Sequence, residues 1–300
     1  MMNRSDIRKQ LQEGLNAVFG LEYDSWPEEW RKIFDVFNSN KAYEEDVLMV
    51  GLGAAAVKAE GDQITYDEGF EGYTFRYVNK TVALAFSITE EAIEDGLYGD
   101  TGSKMSASMA ESFQYTKEVE GANVLNNGYD ALFPGGDDVA LFSTVHPLAG
   151  GGTLSNTLAT PAELAESSLE ELAIQIGDWT DDRGIPKKYM IEGLILPNDL
   201  EFVCTRILES NYQSDTDSNN VNALKQRNTY KNFSINHYLT DPEKWFVKTN
   251  CKHGLKHFKR VGMKRGMEPD FSTGNLRFKG RERYAFGWSN WRGAAGSGDI

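Results

Sequence analysis

Hydrophobic residues near the start of the chain recur every three or four positions, which is typical of amphipathic helices. The first such run predicts a helix over residues 6–19, ended by Gly20. A second run starts near residue 25, where Pro27 suits an early helical position, and predicts a helix that ends at about residue 38. The residues on its apolar face are Trp30, Ile33, Phe34 and Phe37.

From residue 63 to residue 86 the hydrophobic residues instead alternate with polar ones, which is typical of β-strands. Residues 67–72 interrupt the alternation with acidic residues and glycines and predict a turn. We therefore expect a long two-stranded hairpin with an acidic tip. Because an isolated hairpin is marginally stable in water, this one is expected to rest on a partner. The alternating residues are Ile64, Tyr66, Tyr73, Phe75, Tyr77, Val82, Leu84 and Phe86.

Helical spacing returns at residue 87, where Ser87 and Glu90 fit a capping box. A long helix is predicted from there to Asn126, with a bend near the glycines of residues 95–103 and an αL stop supplied by residues 126–128. A second capping box at residues 160–163, with Pro161 at the first helical position, predicts a helix that reaches Trp179.

Helices and strands are also mixed in the rest of the chain. Residues 189–196 read as a buried strand stopped by Pro197, and a short helix is predicted after it. Residues 211–222 are almost free of apolar side chains and predict an exposed loop. Two more strands are predicted at residues 245–247 and 276–288. The mixture indicates an α+β fold.

The charge balance limits the class of protein. The 300 residues include 45 acidic and 31 basic side chains, a net charge of −14, which excludes a generally basic nucleic-acid binder. The hydrophobic content of 40 % excludes disorder throughout. Residues 244–300 reverse the balance with 13 basic and 4 acidic residues. We expect this basic region to bind an acidic surface of the same chain or of a neighbouring copy rather than nucleic acid.

The sequence carries no sign of secretion or of a membrane span. Its 2 cysteines cannot form a disulfide framework, and its polar first residues do not resemble a secretory signal. No apolar run approaches the roughly 18 residues that span a bilayer. The chain is therefore expected to be soluble, cytosolic in origin and independent of membranes.

One motif points to an enzyme. Residues 51–56 follow a strand-like run and fit the dinucleotide-binding fingerprint built on Gly51, Gly53 and Ala56, through Gly51-Leu52-Gly53-Ala54-Ala55-Ala56. However, residues 60–62 break the chain where a helix should continue. A packed glycine turn is therefore favoured, and an NAD(P)-dependent oxidoreductase is kept as the alternative function.

A metal site and a catalytic centre are both disfavoured. Cys251, His253 and His257 place one sulfur and two imidazoles near each other, as zinc would need. A fourth ligand is missing nearby, and the surrounding lysines disfavour a dication. The chain also lacks the hydrolase, zinc-protease, P-loop and papain-like motifs. No catalytic residue, metal or cofactor is predicted.

Three groups of residues stand out by their order and spacing along the chain. They are residues 141–147 (LFSTVHP) with Gly151, Gly152 and Asn156; residues 194–197 (LILP) with 207–210 (ILES); and residues 281–284 (RERY) with Gly287, Trp288, Arg292 and Gly293. Together they resemble the major capsid proteins of tailed bacteriophages, specifically the major head subunits akin to the Mu-like group, which have the HK97-type fold. The resemblance covers most of the chain.

The resemblance implies a division into functional segments. These are an N-terminal arm over residues 1–55, an extended hairpin loop over 56–86, a peripheral domain with a spine helix over 87–157, an axial domain over 158–243, and C-terminal strands of the peripheral domain over 244–300. It also implies a structural, non-enzymatic function. Copies of the chain would self-assemble as pentamers and hexamers into an icosahedral head, a virion component that encloses double-stranded DNA and is built in the host cytoplasm.

In such shells the arm and the hairpin loop reach over neighbouring subunits. We therefore expect Glu68, Phe70 and Glu71 at the loop tip to contact Arg281 or Arg283 of a neighbouring copy.

The resemblance also bears on crosslinks and partners. Some relatives join this loop to a neighbour through a lysine–asparagine bond, but here the tip has no lysine and Lys58 and Lys80 lie only near its base. No crosslink is expected. With only residues 1–55 before the hairpin, a separate scaffold is expected, together with a portal, packaged DNA bound without sequence specificity, and in some cases a decoration protein.

Overall fold

The computed structural model describes residues 4–94, 98–212 and 220–297, whose strands form two four-stranded and two two-stranded sheets. The helices are α1 (Arg4–Ser25), α2 (Trp30–Ile33), α3 (Glu90–Glu94), α4 (Tyr98–Asn126), α5 (Glu166–Gly177), α6 (Glu201–Glu209) and α7 (Ala223–Arg227). The strands are β1 (Asp35–Asn38), β2 (Tyr43–Val50), β3 (Phe70–Val78), β4 (Lys80–Ile88), β5 (His146–Pro147), β6 (Thr153–Leu154), β7 (Ile191–Leu196), β8 (Phe233–Ile235), β9 (Phe246–Thr249), β10 (Leu255–Pro269), β11 (Leu276–Trp288) and β12 (Ala294–Gly296).

The first four-stranded sheet has the strand order β1-β10-β11-β4. At its centre β10 and β11 pair antiparallel, from Leu255 opposite Trp288 to Pro269 opposite Leu276. β4 pairs antiparallel with β11 and forms one edge of the sheet, whereas β1 pairs parallel with β10 and forms the other. The sheet is therefore assembled from segments that lie far apart in the sequence.

Alternating side chains give this sheet one dry face and one wet face. Along β11, Leu276 and Phe278 are buried, whereas Arg277, Lys279 and Arg281 are exposed. A period of two is expected of a strand with one side in the core and the other in water.

Two helices, α1 and α4, cover the dry face. A hydrophobic cluster joins them to β11, with Leu15, Phe19, Phe113 and Phe278 among its members. The close approach of α4 depends on Gly280, because a Cβ atom at this position would lie 2.7 Å from the ring of Phe113. The long helix is thus packed directly on the central strand.

The second four-stranded sheet, in the order β12-β9-β7-β8, belongs to the larger hydrophobic core. Successive residues Leu194, Ile195 and Leu196 of β7 are all buried, so both faces of this strand are covered. Helix α5 contributes the predicted apolar stripe to the same core. It begins later than the capping box at Pro161 predicts, because the hydroxyl of Ser168 accepts the backbone N–H of Ala165 at 3.0 Å and so caps the helix there.

The pairing predicted within residues 63–86 is wrong. β3 pairs antiparallel with β2, from Tyr43 opposite Val78 to Val50 opposite Phe70, and β4 pairs with β11 instead. Residues 51–69, which join β2 to β3, form no strand, so Ile64 and Tyr66 lie in an irregular segment. The two-stranded ribbon of β2 and β3 rests on the first sheet, where the rings of Phe75 and Trp288 lie 5.6 Å apart.

Three helix predictions are also corrected. α1 continues through Gly20 to Ser25. The predicted second helix is only the single turn α2, after which Phe37 lies in β1 with its ring 5.7 Å from that of Phe258. β4 extends to Ile88, so the cap of α3 is Thr89, whose hydroxyl accepts the N–H of Ala92 at 3.3 Å. The predicted bend near residues 95–103 falls partly outside the described residues.

Other predictions are confirmed closely. α4 ends at Asn126, β7 ends before Pro197, and β11 spans the predicted residues 276–288. No αL stop follows α4; Gly128 is required because a Cβ atom would lie 2.5 Å from Phe142. Most of the polar loop predicted at 211–222 lies outside the described residues. Within the described ranges, no helix has both the length and the apolar character needed to cross a bilayer.

Candidate inter-subunit surface

A row of basic side chains lies on the wet face of the first sheet. Because every second residue of a strand points to the same side, Arg277, Lys279, Arg281 and Arg283 of β11 share this face. The residues directly opposite them on β4 are Ser87, Ala85, Ala83 and Thr81, all small. Because these β4 side chains are short, the basic side chains of β11 project beyond them and border a shallow surface that is apolar at Ala83 and Ala85.

This arrangement forms an open groove of about 580 Å³. Two strands contribute its charge, since Lys264 comes from β10 while Lys279 and Arg281 come from β11. Arg265 also lines the groove, but its guanidinium is directed to the dry face, where it donates to the backbone carbonyl of Asn16 in α1. The remaining lining residues are Ala83, Leu84, Ala85, Gly266 and Gly280. In a chain with a net charge of −14, a groove of this composition is suited to an acidic segment.

Part of this charge is already neutralised within the chain. Arg277 pairs with Asp270, and Lys279 Nζ lies 3.7 Å from a carboxylate oxygen of Glu268. By contrast, Arg281 forms no ion pair with any described residue. Arg281 is exposed, so its charge is available to a partner.

The acidic loop of residues 51–69 is anchored at its end. Asp67 accepts hydrogen bonds from Arg183 Nη1 at 2.9 and 2.7 Å and from the backbone N–H of Gly53 at 2.6 Å. The hydrogen bond from Arg183, followed by that from Gly53, holds the pKa of Asp67 below its usual value. The guanidinium of Arg183 also lies 5.4 Å from the ring centre of Phe70. The loop therefore begins and ends at a defined point of its own subunit.

The predicted contact residues lie apart within a single chain. Glu68 and Glu71 are exposed beside this anchor and form no ion pair with Arg281 or Arg283 in the described structure. Phe70 is 40 % exposed and stacks on its own Arg183. Their contact with a neighbouring copy stays a prediction, and sequence reasoning missed both Arg183 and Lys264.

Gly51 and Gly53 do not form the start of a dinucleotide site. No helix follows them, and residues 51–69 are irregular instead. The N–H of Gly53 is already bound by Asp67. A Cβ atom at Gly53 would lie 3.1 Å from the Asp67 carboxylate, which explains the glycine as part of a packed loop.

The predicted zinc-ligand candidates Cys251, His253 and His257 have surroundings that differ from those of a metal site. His257 is buried between aromatic rings, 4.4 Å from the Trp30 ring and 4.5 Å from that of Phe286, and this burial lowers its pKa to about 3. His253 Nδ1 instead faces Lys256 Nζ at 2.7 Å. No group of three or more histidine, cysteine or acidic residues in the described chain could hold a metal ion.

The basic region is joined to acidic groups of its own chain at several places, one of which is Arg292 with Asp182 at 3.4 Å. Lys248 pairs with Asp35 at 3.0 Å, and the buried Lys256 pairs with Asp46. The expectation that residues 244–300 bind an acidic surface of the same chain is confirmed at these positions.

One buried asparagine joins the first of the groups that carry the family resemblance to the end of the chain. The side-chain amide of Asn156 donates to the carbonyls of Leu141 at 2.7 Å and Ala294 at 3.1 Å, and its oxygen accepts the N–H of Ser143 at 2.9 Å. His146 stacks on Trp291 with ring centres 4.6 Å apart. These contacts join residues 141–147 to the end of the chain.

A buried acid attaches the N-terminal helices to α4. The Glu118 carboxylate is fully buried and accepts the backbone N–H groups of Glu29 at 2.8 Å and Trp30 at 3.0 Å. Burial raises the pKa of Glu118 to about 7, opposed by these two hydrogen bonds and reinforced by the charges of Glu29 and Glu28. The N-terminal segment is therefore held through a titratable group.

Comparison with solved structures gives the same fold. The procapsid of bacteriophage JBD30 matches with a TM-score of 0.52 and 13 % identity, covering 100 % of this chain and 77 % of that chain. Microbacterium phage Oxtober96 matches with a TM-score of 0.54 and 11 % identity over 91 % of each chain. The capsid of an empty GTA particle matches with a TM-score of 0.53 and 12 % identity, covering 89 % of this chain and 88 % of that chain. No curated protein matches the chain.

A family model decides the assignment. The model described as "Phage capsid protein" matches residues 72–297, which is most of the chain. The mixed helix and strand content and the structural neighbours confirm the predicted HK97-type α+β fold. The family is a structural one, and nothing in these comparisons supports the oxidoreductase alternative. The chain belongs to the phage capsid protein family.

Proposed function

We propose that copies of this capsid protein assemble as pentamers and hexamers of an icosahedral head that encloses double-stranded DNA. The observation that carries this proposal is an uncovered basic groove on an otherwise acidic subunit that also extends an acidic loop. Two complementary surfaces that do not meet within one chain suit repeated head-to-tail contacts. Such contacts close into rings when the rotation between copies allows it.

In this arrangement the loop of one subunit lies on the first sheet of the next. Glu68 and Glu71 face Arg281 and Arg283 of the neighbouring copy, and Phe70 adds apolar contact at the tip. Arg281 supports this assignment because it is exposed and has no acidic partner among the described residues. The Asp67–Arg183 pair fixes where the loop leaves its own subunit.

The strand pairing supports new limits for the extended loop. The ribbon of β2 and β3 with the intervening residues 51–69 forms the projection, so we place the loop at residues 43–78 instead of 56–86. The arm then comprises α1 to β1, and α4 is the spine helix of the peripheral domain. Residues 158–243 are assigned to the axial domain, with β9 and β12 paired into its sheet, and the other residues of 244–300 are assigned to the peripheral domain.

The remaining partners follow from the proposed shell. A separate scaffold directs assembly in the host cytoplasm, a portal occupies one vertex, and decoration proteins bind the outside in shells that carry them. The net negative charge suits a wall that does not adhere to packaged DNA. We assign no lysine crosslink to the loop.

Charge reversal tests the subunit contact. Glu68→Lys with Glu71→Lys, and separately Arg281→Glu with Arg283→Glu, should each lower the yield of shells by about tenfold or more, because like charges then face each other. Combining the four substitutions should restore most of the yield. Lys188→Glu is the matched control, since Lys188 is exposed and lies on neither surface. Full assembly of both double variants would contradict the contact.

A further inference from the structure

We propose that residues 63–66 of one copy add as a fifth strand to the free edge of β4 in a neighbouring copy. This inference rests on the proposed function, in which the loop of one subunit lies on the first sheet of the next. It goes further because it names main-chain pairing, and not side-chain charge alone, as the contact.

The first observation is that residues 63–66 have the sequence pattern of a strand but form no strand in the single subunit. Ile64 and Tyr66 alternate with Gln63 and Thr65, which is typical of a strand. In the single subunit Ile64 is 70 % exposed and Tyr66 is 92 % exposed. Residues 63–66 also make no backbone hydrogen bond within the described chain. The local sequence therefore favours an extended strand for which the described part of its own subunit provides no partner.

The second observation is a sheet edge without a cover. β4 is the last strand of the first sheet and, among the described residues, pairs only with β11. Six of its nine residues are exposed, including Ala83, Leu84 and Ala85. An uncovered edge of this kind presents unpaired N–H and C=O groups and is a template for another strand. Proteins protect such edges with charges or prolines, and β4 has only Lys80 at one end.

The third observation is that side chains on the two segments are complementary. Ile64 and Tyr66 would lie on one face of the added strand, and Ala83 and Ala85, which are exposed on the face of β4 that carries the basic row, offer apolar surface there. Asp62 and Glu68 flank the segment on either side. A fifth strand would lie about 10 Å from β11, a distance that the long side chain of Arg281 can bridge.

Anchoring limits the entropy cost of this contact. Asp67, directly after the segment, is held by Arg183 of its own subunit at 2.7 Å. The segment is therefore presented from a fixed point, so that less freedom is lost when it pairs. We assign a second copy of the chain as the occupant of the β4 edge, because that copy supplies the strand pattern, the flanking acidic residues and the anchor together.

Hydrogen–deuterium exchange on assembled shells and on unassembled subunits tests the pairing directly. Some amides of residues 63–66 and some amides of β4 should exchange about tenfold more slowly in shells than in unassembled subunits. Shells in which residues 63–66 exchange as they do in subunits would overturn the strand addition while leaving the proposed function intact. Protection of β4 alone would mean a different occupant and would also overturn it. Failure to form any shell would overturn both proposals.

Proline substitution gives an independent test. Alternate residues of an added strand donate to its neighbour, so one of Ile64→Pro and Thr65→Pro must remove a bonded N–H. At least one of them should lower shell yield by about tenfold, whereas Ile64→Ala and Thr65→Ala retain the N–H and serve as matched controls. Thermal unfolding of the subunits checks that all four variants fold. Equal yields for each proline variant and its alanine control would contradict the pairing.

Discussion

The ammonium group of Lys117 in α4 lies 2.9 Å from Oε2 of Glu282 in β11, and both side chains are buried. Tyr23 of α1 donates its hydroxyl to the same carboxylate oxygen at 2.9 Å. Burial, with the neighbouring charge of Glu282, raises the pKa of Tyr23 well above its usual value, so the tyrosine keeps the proton that it donates. One buried ion pair thus connects the spine helix, the central strand and the N-terminal helix.

Removing one member of this pair should destabilise the subunit strongly. Lys117→Met leaves the Glu282 carboxylate buried without its cation, and the expected loss is about 3–5 kcal/mol of unfolding free energy. The double variant Lys117→Met with Glu282→Leu removes both charges and should recover most of the loss. Urea unfolding of the three proteins measures the difference. A single variant as stable as wild type would show that the pair does not hold the helices together.

Glu118 should make subunit stability depend on pH. Its pKa is raised from 4.5 to about 7, so the folded protein binds this proton more tightly than the unfolded chain does. The contribution of Glu118 to the free energy of unfolding is therefore present below pH 4.5 and is lost as the pH rises to about 7. The difference in unfolding free energy between wild type and Glu118→Gln should fall by up to about 3 kcal/mol between pH 4.5 and pH 8. Parallel pH profiles of the two proteins would refute this role for Glu118.

Gly280 should tolerate no side chain. An alanine methyl group there would lie 2.7 Å from the Phe113 ring, so Gly280→Ala is expected to cost about 1–3 kcal/mol of unfolding free energy. The matched control is Gly266→Ala on the neighbouring strand, where the nearest atom is 3.5 Å away. That variant should stay within about 0.5 kcal/mol of wild type. Equal effects in thermal unfolding would argue against close packing of α4 on β11.

Asn156 should be a sensitive position of the larger core. Asn156→Ala removes the amide that donates to the buried carbonyls of Leu141 and Ala294, and the expected cost is about 2–4 kcal/mol of unfolding free energy. Ser155→Ala is a neighbouring control that removes only a hydroxyl. Denaturant unfolding compares the two, and a smaller loss for Asn156→Ala than for Ser155→Ala would contradict the network.

Local pattern was sufficient for strands with a clean alternation. β11 was predicted at its full length because Leu276 and Phe278 alternate with Arg277 and Lys279. β10 was missed because glycines, methionines and basic residues obscure its period and because bulges shift its register near Val261. The helical spacing of Trp30, Ile33 and Phe34 predicts a helix, but only one turn forms.

Long-range pairing could not be predicted from local pattern. Phe37 joins a strand because it lies opposite Phe258, more than two hundred residues later, and nothing in its neighbourhood signals this partner. The same reason explains the misassigned hairpin, since β4 prefers β11 over the adjacent β3. For the candidate surface, the sequence indicated Arg281 and Arg283 through the family resemblance. Arg183 was missed because its role depends on Asp67, which lies on a distant loop.

Cryo-electron microscopy of particles assembled from the full chain tests the central claim most directly. The account predicts closed shells of pentamers and hexamers in which residues 51–69 of each subunit lie along β4 and β11 of the next. Uniform small oligomers, or shells in which the basic groove around Arg281 is uncovered, would contradict it.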